Sequence, residues 1–276
     1  MDSIVVGFDG SDASLVAVDW VAARASRTPC RVRLVRVEAA PLVDRDLDEI
    51  AFEEAERRLH ALAPGAEMTW GTVGGRMPEK LLDAAEEADL LVIGENPGRP
   101  VRSAITGWKP LRVAARSSVP TIVVPLGRRT PEGPVVVGVD DDDSSATAVA
   151  VAAREALAAG VGLTLVHAWR SPDPTMDGSL ALISSPIAVK AEHRRMLDDI
   201  RRRVLSDHPG LMVAVVLEQD NPVAALLRAA ARSSLIVVGT HHRGVVAGAF
   251  LGSVSQDVLA LSQIPVCIAP HVSPAT

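Results

Sequence analysis

An internal repeat constrains this chain more than any other feature. Ile4-Val5-Val6-Gly7-Phe8-Asp9 returns as Val135-Val136-Val137-Gly138-Val139-Asp140. Leu34-Val35 matches Leu165-Val166 at the same offset, and Leu91-Val92-Ile93-Gly94 matches Ile236-Val237-Val238-Gly239. Gly107 matches Gly252, and Val119–Pro125 matches Ile264–Pro270. The offset grows by about fourteen residues in mid-copy, so the second copy carries an insertion, placed within Trp169–Lys190. Residues 1–127 and 135–276 are thus two copies of one domain. Between them, residues 128–134 are a polar linker bounded by Gly and Pro.

Each copy alternates short apolar runs with amphipathic stretches. In the first, strands are expected at Ile4–Phe8, Arg31–Val37, Glu67–Val73, Leu90–Ile93 and Thr121–Val124. Helices are expected at Ala13–Arg27, Leu47–Leu62, Pro78–Glu87 and Leu111–Arg116. Strands alternating with helices predict a doubly wound α/β fold, five parallel strands per copy. Ligands of such folds sit at the carboxyl ends of the strands.

Composition narrows the function. Net charge is -6. Residues 1–130 hold 17 basic and 19 acidic side chains, the remainder 11 and 15, so neither half suits nucleic acid or an anionic membrane. Aromatic residues make up 3%, with no Tyr, so Ala, Val and Leu must fill the cores and base-stacking platforms are scarce. Cys30 and Cys267 show no metal spacing, and a reduced, cytoplasmic protein is expected. The start lacks the form of a signal peptide, and no apolar run reaches a membrane span.

The strand ends carry the candidate chemistry. Asp9 and Asp140 end the first strand of each copy. There a carboxylate can accept from a ribose or base, or hold hydrated Mg²⁺; it can equally cap the following helix. After the fourth strand of copy two, Gly239 opens a loop that closes on Gly252-Ser253-Val254-Ser255 at a helix start. Glycines there admit backbone N–H groups to an anion, and the dipole and hydroxyl add to them. No Walker A sequence is present. Arg243 in the same loop is a candidate phosphate partner. Arg194, Arg195 and Arg201–Arg203 read as a solvated helix face, as do Asp48, Glu49, Glu53, Glu54 and Glu56.

The repeated Val-Gly-x-Asp strand, together with Val-Val-Gly-(loop)-Gly-Ser-Val-Ser-Gln and Ile-Pro-Val, resembles the universal stress protein family in its tandem two-domain bacterial form. The likeness spans both copies. It implies a Rossmann-like, adenine nucleotide alpha hydrolase-like fold and ATP, with Mg²⁺, held by Gly-x2-Gly-x9-Gly-Ser/Thr. Copy two reads Gly239-x2-His242-x9-Gly252-Ser253. The resemblance therefore implies a site of Gly138, Asp140, Gly239, His242, Arg243 and Gly252 to Ser255 (Ser253 and Val254 included), with His167 near the adenine. Copy one reads Gly94-x2-Pro97-x9-Gly107-Trp108. Pro97 has no N–H to give, and Trp108 replaces the hydroxyl, so Asp9, Gly94 and Gly107 outline a degenerate site. The resemblance also implies that Pro120–Pro125 and Pro265–Pro270 pair as an intrachain pseudo-dimer, with a further homodimer open.

The function expected is a nucleotide-responsive stress regulator rather than an enzyme. Two alternatives stay open. One is a nucleotide-independent interaction module of the same fold. The other is a phosphohydrolase using Asp140 as nucleophile and Asp142 as acid/base.

Overall fold

The computed structural model describes residues 1–38, 45–96, 109–127, 132–140, 145–169, 186–240 and 251–271. It divides into two compact units. The first comprises residues 1–130 and 240–276, the second residues 131–239.

The first unit runs β1 (Asp2–Gly7), α1 (Asp12–Ala25), β2 (Cys30–Glu38), α2 (Arg45–Leu62), β3 (Glu67–Gly74), α3 (Glu79–Ala85), β4 (Leu90–Glu95), α4 (Lys109–Arg116) and β5 (Thr121–Pro125). Its strand order is β3-β2-β1-β4-β5. All neighbours in that series are parallel, and β1 pairs with both β2 and β4. The strand order reverses beside β1, which is where a doubly wound sheet opens a crevice.

The sheet is built from near-continuous apolar runs because helices cover both faces. Ile4, Val6, Leu34, Leu91 and Ile122 are fully buried. α1 presents Ala17, Val18, Val21 and Ala22 to the sheet. Leu15 on the same helix is only half-buried. Small side chains on α1 let it lie close, so few rings are needed. The exception is a stack of three: Phe8 meets Phe52 at 5.1 Å between centroids, and Phe52 lies flat on Trp70 at 4.4 Å. Phe52 is buried, whereas Trp70 on the edge strand β3 is 48% exposed.

From the carboxyl-terminal stretch, α8 (Ser253–Leu261) and β10 (Val266–Ala269) complete this unit. β10 runs antiparallel to β5, with Val266 opposite Val123 and Ile268 opposite Thr121. The pairing expected of the two terminal strands is present. Cys267 on β10 and Cys30 on β2 are buried free thiols.

The second unit runs β6 (Val135–Gly138), α5 (Ser145–Ala159), β7 (Leu163–Ala168), α6 (Pro186–Asp207), β8 (Val213–Glu218), α7 (Pro222–Ala229) and β9 (Leu235–Gly239). Its strands are ordered β9-β6-β7-β8 and are parallel. Val136, Val137, Leu165, Ile236 and Val237 form its buried centre. Most of the expected insertion, residues 170–185, lies outside the described residues. The charged helix faces are laced by pairs one turn apart: Glu54 with Arg57 and Arg58 on α2, Asp198 with Arg194 on α6.

Candidate functional site

In copy one the chain leaves β1 and turns sharply into α1. Gly10 sits at φ 76°, a left-handed conformation that suits glycine. The turn is tied by side chains. Asp9 Oδ1 accepts from the Ser11 amide at 3.0 Å and from Ser11 Oγ at 2.5 Å. Ser11 is the N-cap of α1, its Oγ accepting from the Ser14 amide at 3.3 Å. Partial burial pushes the Asp9 carboxyl upward, but the Ser11 hydrogen bonds, together with Ser14 and the Arg36 charge, hold it below the usual aspartate range. Asp9 therefore holds in place the residue that caps α1.

A cavity of about 730 Å³ opens at the carboxyl ends of β1 and β4. Asp9, Ser11, Val35, Met77, Leu81 and Gly94 are among the residues lining it. Gly94 has a second task. A Cβ built on it would stand 1.8 Å from the Ala13 carbonyl oxygen, so the glycine lets α1 cross β4 in backbone contact. Of the other degenerate-site positions, Pro97, Gly107 and Trp108 lie outside the described residues.

In the second unit, Gly138 ends β6, and a Cβ there would meet Leu226 Cδ1 at 3.2 Å. The Asp140 amide donates to Ser145 Oγ at 2.8 Å, which ties the strand end to the start of α5. Asp142 lies outside the described residues. Gly239 ends β9. His167 on β7 is 3% exposed, and both ring nitrogens are engaged. Nδ1 lies 2.7 Å from the Val139 carbonyl oxygen, and Nε2 lies 2.9 Å from Nδ1 of His193 on α6. His193 also stacks on the buried Trp169, centroids 5.4 Å apart. Sequence reading missed His193. The available signal was its place four residues before Leu197, the fully buried anchor of α6.

Gly252 to Ser255 fall in the first unit. Gly252 is the N-cap of α8 and, having no side chain, leaves the helix start without a side-chain cap. Ser253 and Val254 are the first two helical residues, and Ser255 is buried in the same turn. Gln256 braces the entry from beyond, its Nε2 donating to the Leu251 oxygen at 2.7 Å. His242 and Arg243 lie outside the described residues. Among the described residues no three His, Cys, Asp or Glu side chains gather as a metal site. Nor is any described helix long and apolar enough to cross a membrane.

These features can be set beside known proteins. The universal stress protein family profile matches twice, over residues 1–125 and 133–270. A universal stress protein of Mycobacterium tuberculosis is 29% identical over 300 aligned positions, covering 96% of this chain and 94% of that protein. A second from the same organism is 28% identical over 295 positions, covering 96% of each. The crystal structure of a universal stress protein from Archaeoglobus fulgidus superposes with a TM-score of 0.69 over 99% of this chain and 98% of its own, at 19% identity. That last likeness speaks to the fold alone. With both copies matched by the profile and relatives aligned nearly end to end, the chain belongs to the universal stress protein family.

Proposed function

We propose that the protein is a nucleotide-responsive regulator that binds ATP with Mg²⁺ through its second copy. It acts as a binding protein rather than a catalyst. The observation that carries this reading is the start of α8. The helix opens at Ser253, behind a glycine that offers no cap, at the position where the family frame requires a phosphate cradle. The first amides of an α-helix have no acceptor within the helix, and the dipole places partial positive charge there. An incoming phosphate satisfies both.

Copy one has a different balance. Among the described residues, its cavity is lined by Asp9, Asp12 and Glu95 and by no Lys or Arg. A polyphosphate entering it meets like charge. The reading is therefore one ATP per chain.

Isothermal titration of the full chain with Mg-ATP tests this. One site is expected. Ser253→Glu, which places a carboxylate where a phosphate would lie while remaining compatible with a helix start, should weaken binding at least about tenfold. Two equivalent sites, no binding at millimolar nucleotide, or full affinity in S253E would each reject the proposal.

A further inference from the structure

A hydrogen-bonded pair of imidazoles joins α6 to β7 in the second unit, and its proton inventory has a consequence for the helix. The Val139 oxygen can only accept, so His167 Nδ1, 2.7 Å away, carries a hydrogen. His167 Nε2 and His193 Nδ1 face each other at 2.9 Å, a separation that holds a single hydrogen. In the neutral pair this hydrogen belongs to His193 Nδ1, because neutral His167 has already spent its own on Val139. If both rings became imidazolium, two N–H groups would meet head to head. The closed pair therefore takes up one proton where two separate histidines take up two. The added charge resides on His193, which is half-buried, rather than on His167, which is almost fully enclosed. On His193 the charge stacks against the Trp169 ring as a cation–π contact.

The position of the pair gives this arithmetic a mechanical meaning. The first turns of α6 are thinly held: Ile187, Ala188, Lys190, Glu192, Arg194 and Arg195 are exposed. The helix's fully buried anchor, Leu197, comes later. The contact of His193 with His167 and Trp169 fastens the entry half of the helix.

We propose that this pair is an acid latch, in which seating α6 on β7 excludes one proton, so that acidification favours release of the helix. Release separates the rings and removes the N–H to N–H conflict, so that each ring can take up its own proton. The released form then holds one proton more than the seated form, and its share rises about tenfold for each pH unit of acidification. Among the described residues, the charged groups on the elements around the pair are Lys190, Glu192 and Arg194 on α6 itself, Asp140 beyond β6, and Glu218 at the end of β8, paired with Arg228 of α7. Carboxylates, ammonium and guanidinium groups as classes keep their charge between about pH 5 and 8, which leaves the histidines as the groups that change.

Hydrogen–deuterium exchange of the full chain tests the latch, read on α6 and β7 peptides and corrected for intrinsic exchange. Between about pH 7.5 and 5 the opening constant should become steeper toward about tenfold per pH unit. His167→Gln keeps an amide N–H for the Val139 oxygen and an amide oxygen for His193 Nδ1–H, but it cannot titrate. Its slope should be flat. A flat wild type, or an unchanged slope in H167Q, overturns the proposal. Imidazole nitrogen NMR of the wild type decides independently should the variant not fold. His193 should become imidazolium while His167 stays the neutral Nδ1–H form in the seated protein. Ionisation of His167 first, or of both rings with α6 seated, is equally fatal.

Discussion

Gly94→Ala adds one methyl group, and the structure specifies what that methyl must displace. The new Cβ would lie 1.8 Å from the Ala13 oxygen, 2.2 Å from the Ala13 carbonyl carbon and 2.9 Å from the Ser14 nitrogen. Carbon contacts relax only near about 3.5 Å, so α1 has to retreat by roughly 1.5 Å or β4 must bend away. None of the three atoms belongs to a flexible side chain that could step aside. Retreat also lifts Ala17, Val18, Val21 and Ala22 off the sheet, although α1 is the helix that covers β4 and β5. Overpacking usually costs about 1–3 kcal/mol, and a backbone clash of this depth belongs at or above the top of that range. A cost of about 3 kcal/mol lowers the melting temperature by roughly 10 °C in a domain of this size. Urea and thermal unfolding of the full chain measure it, with Gly71→Ala as the control. Gly71 also lies in a strand, but a Cβ there meets nothing within 4 Å. That control should fall between neutral and about 1 kcal/mol more stable. If G94A unfolds within about 0.5 kcal/mol of wild type, the claim that Gly94 is required by helix packing is wrong.

Two further substitutions probe the ends of α1. Asp2→Asn removes the carboxylate that meets Arg24 at 2.7 Å; the guanidinium is 5% exposed and Asp2 is 30% exposed, so about 2 kcal/mol should be lost in urea unfolding. Ser11→Ala removes the cap on the Ser14 amide, worth about 1 kcal/mol, and one of the hydrogen bonds that hold the Asp9 carboxyl low. A carboxyl depressed in the folded state stabilises above the ordinary aspartate range and loses that contribution as pH falls through its folded value. The gap between wild type and S11A should therefore be wider near pH 7 than near about pH 3, and a gap independent of pH would separate Asp9 from the loss.

Much of this fold can be read from residue pattern because its strands are short, apolar and repeated. The run Thr121–Val124 is a strand in either copy's setting, and its partner Val266–Ala269 lies antiparallel to it, the pairing that the family resemblance implies. The site is less legible. The sequence leaves Asp9 open to two readings, a ligand contact or a helix cap. The structure shows the Asp9 carboxylate held by the Ser11 amide and hydroxyl, with Ser11 itself as the cap, a contact that depends on which atoms a turn brings together. The sequence puts His167 at a strand end, and the family resemblance implies a base near it, but its partner His193 lies 26 residues away on a different element. No local spacing encodes that meeting. It depends on how α6 is laid across β7, which follows from Leu197 and Val204 finding the core.

The glycine frame shows why such loops mislead. A glycine at the end of a strand has two independent causes. A phosphate can require it, because only a bare backbone lets N–H groups approach an anion. A crossing helix can require it too, because only a bare α-carbon lets another backbone lie in contact. In copy one the second cause is sufficient: Ala13 of α1 occupies the space where a side chain at 94 would stand. Gly133, before β6, shows that close backbone approach alone can require a glycine, its Cβ position lying 1.7 Å from the Arg232 oxygen. Gly94 is thus no argument that the first copy binds a phosphate, and its presence beside Pro97 and Trp108 is no contradiction. Gly252 differs in kind. It stands at the head of a helix as an N-cap without a capping side chain. Serine, aspartate or asparagine would stabilise that helix better by a few tenths of a kcal/mol. A glycine placed where the helix itself slightly favours another residue is the stronger pointer to a ligand, and it is the reason we propose the second copy as the nucleotide site.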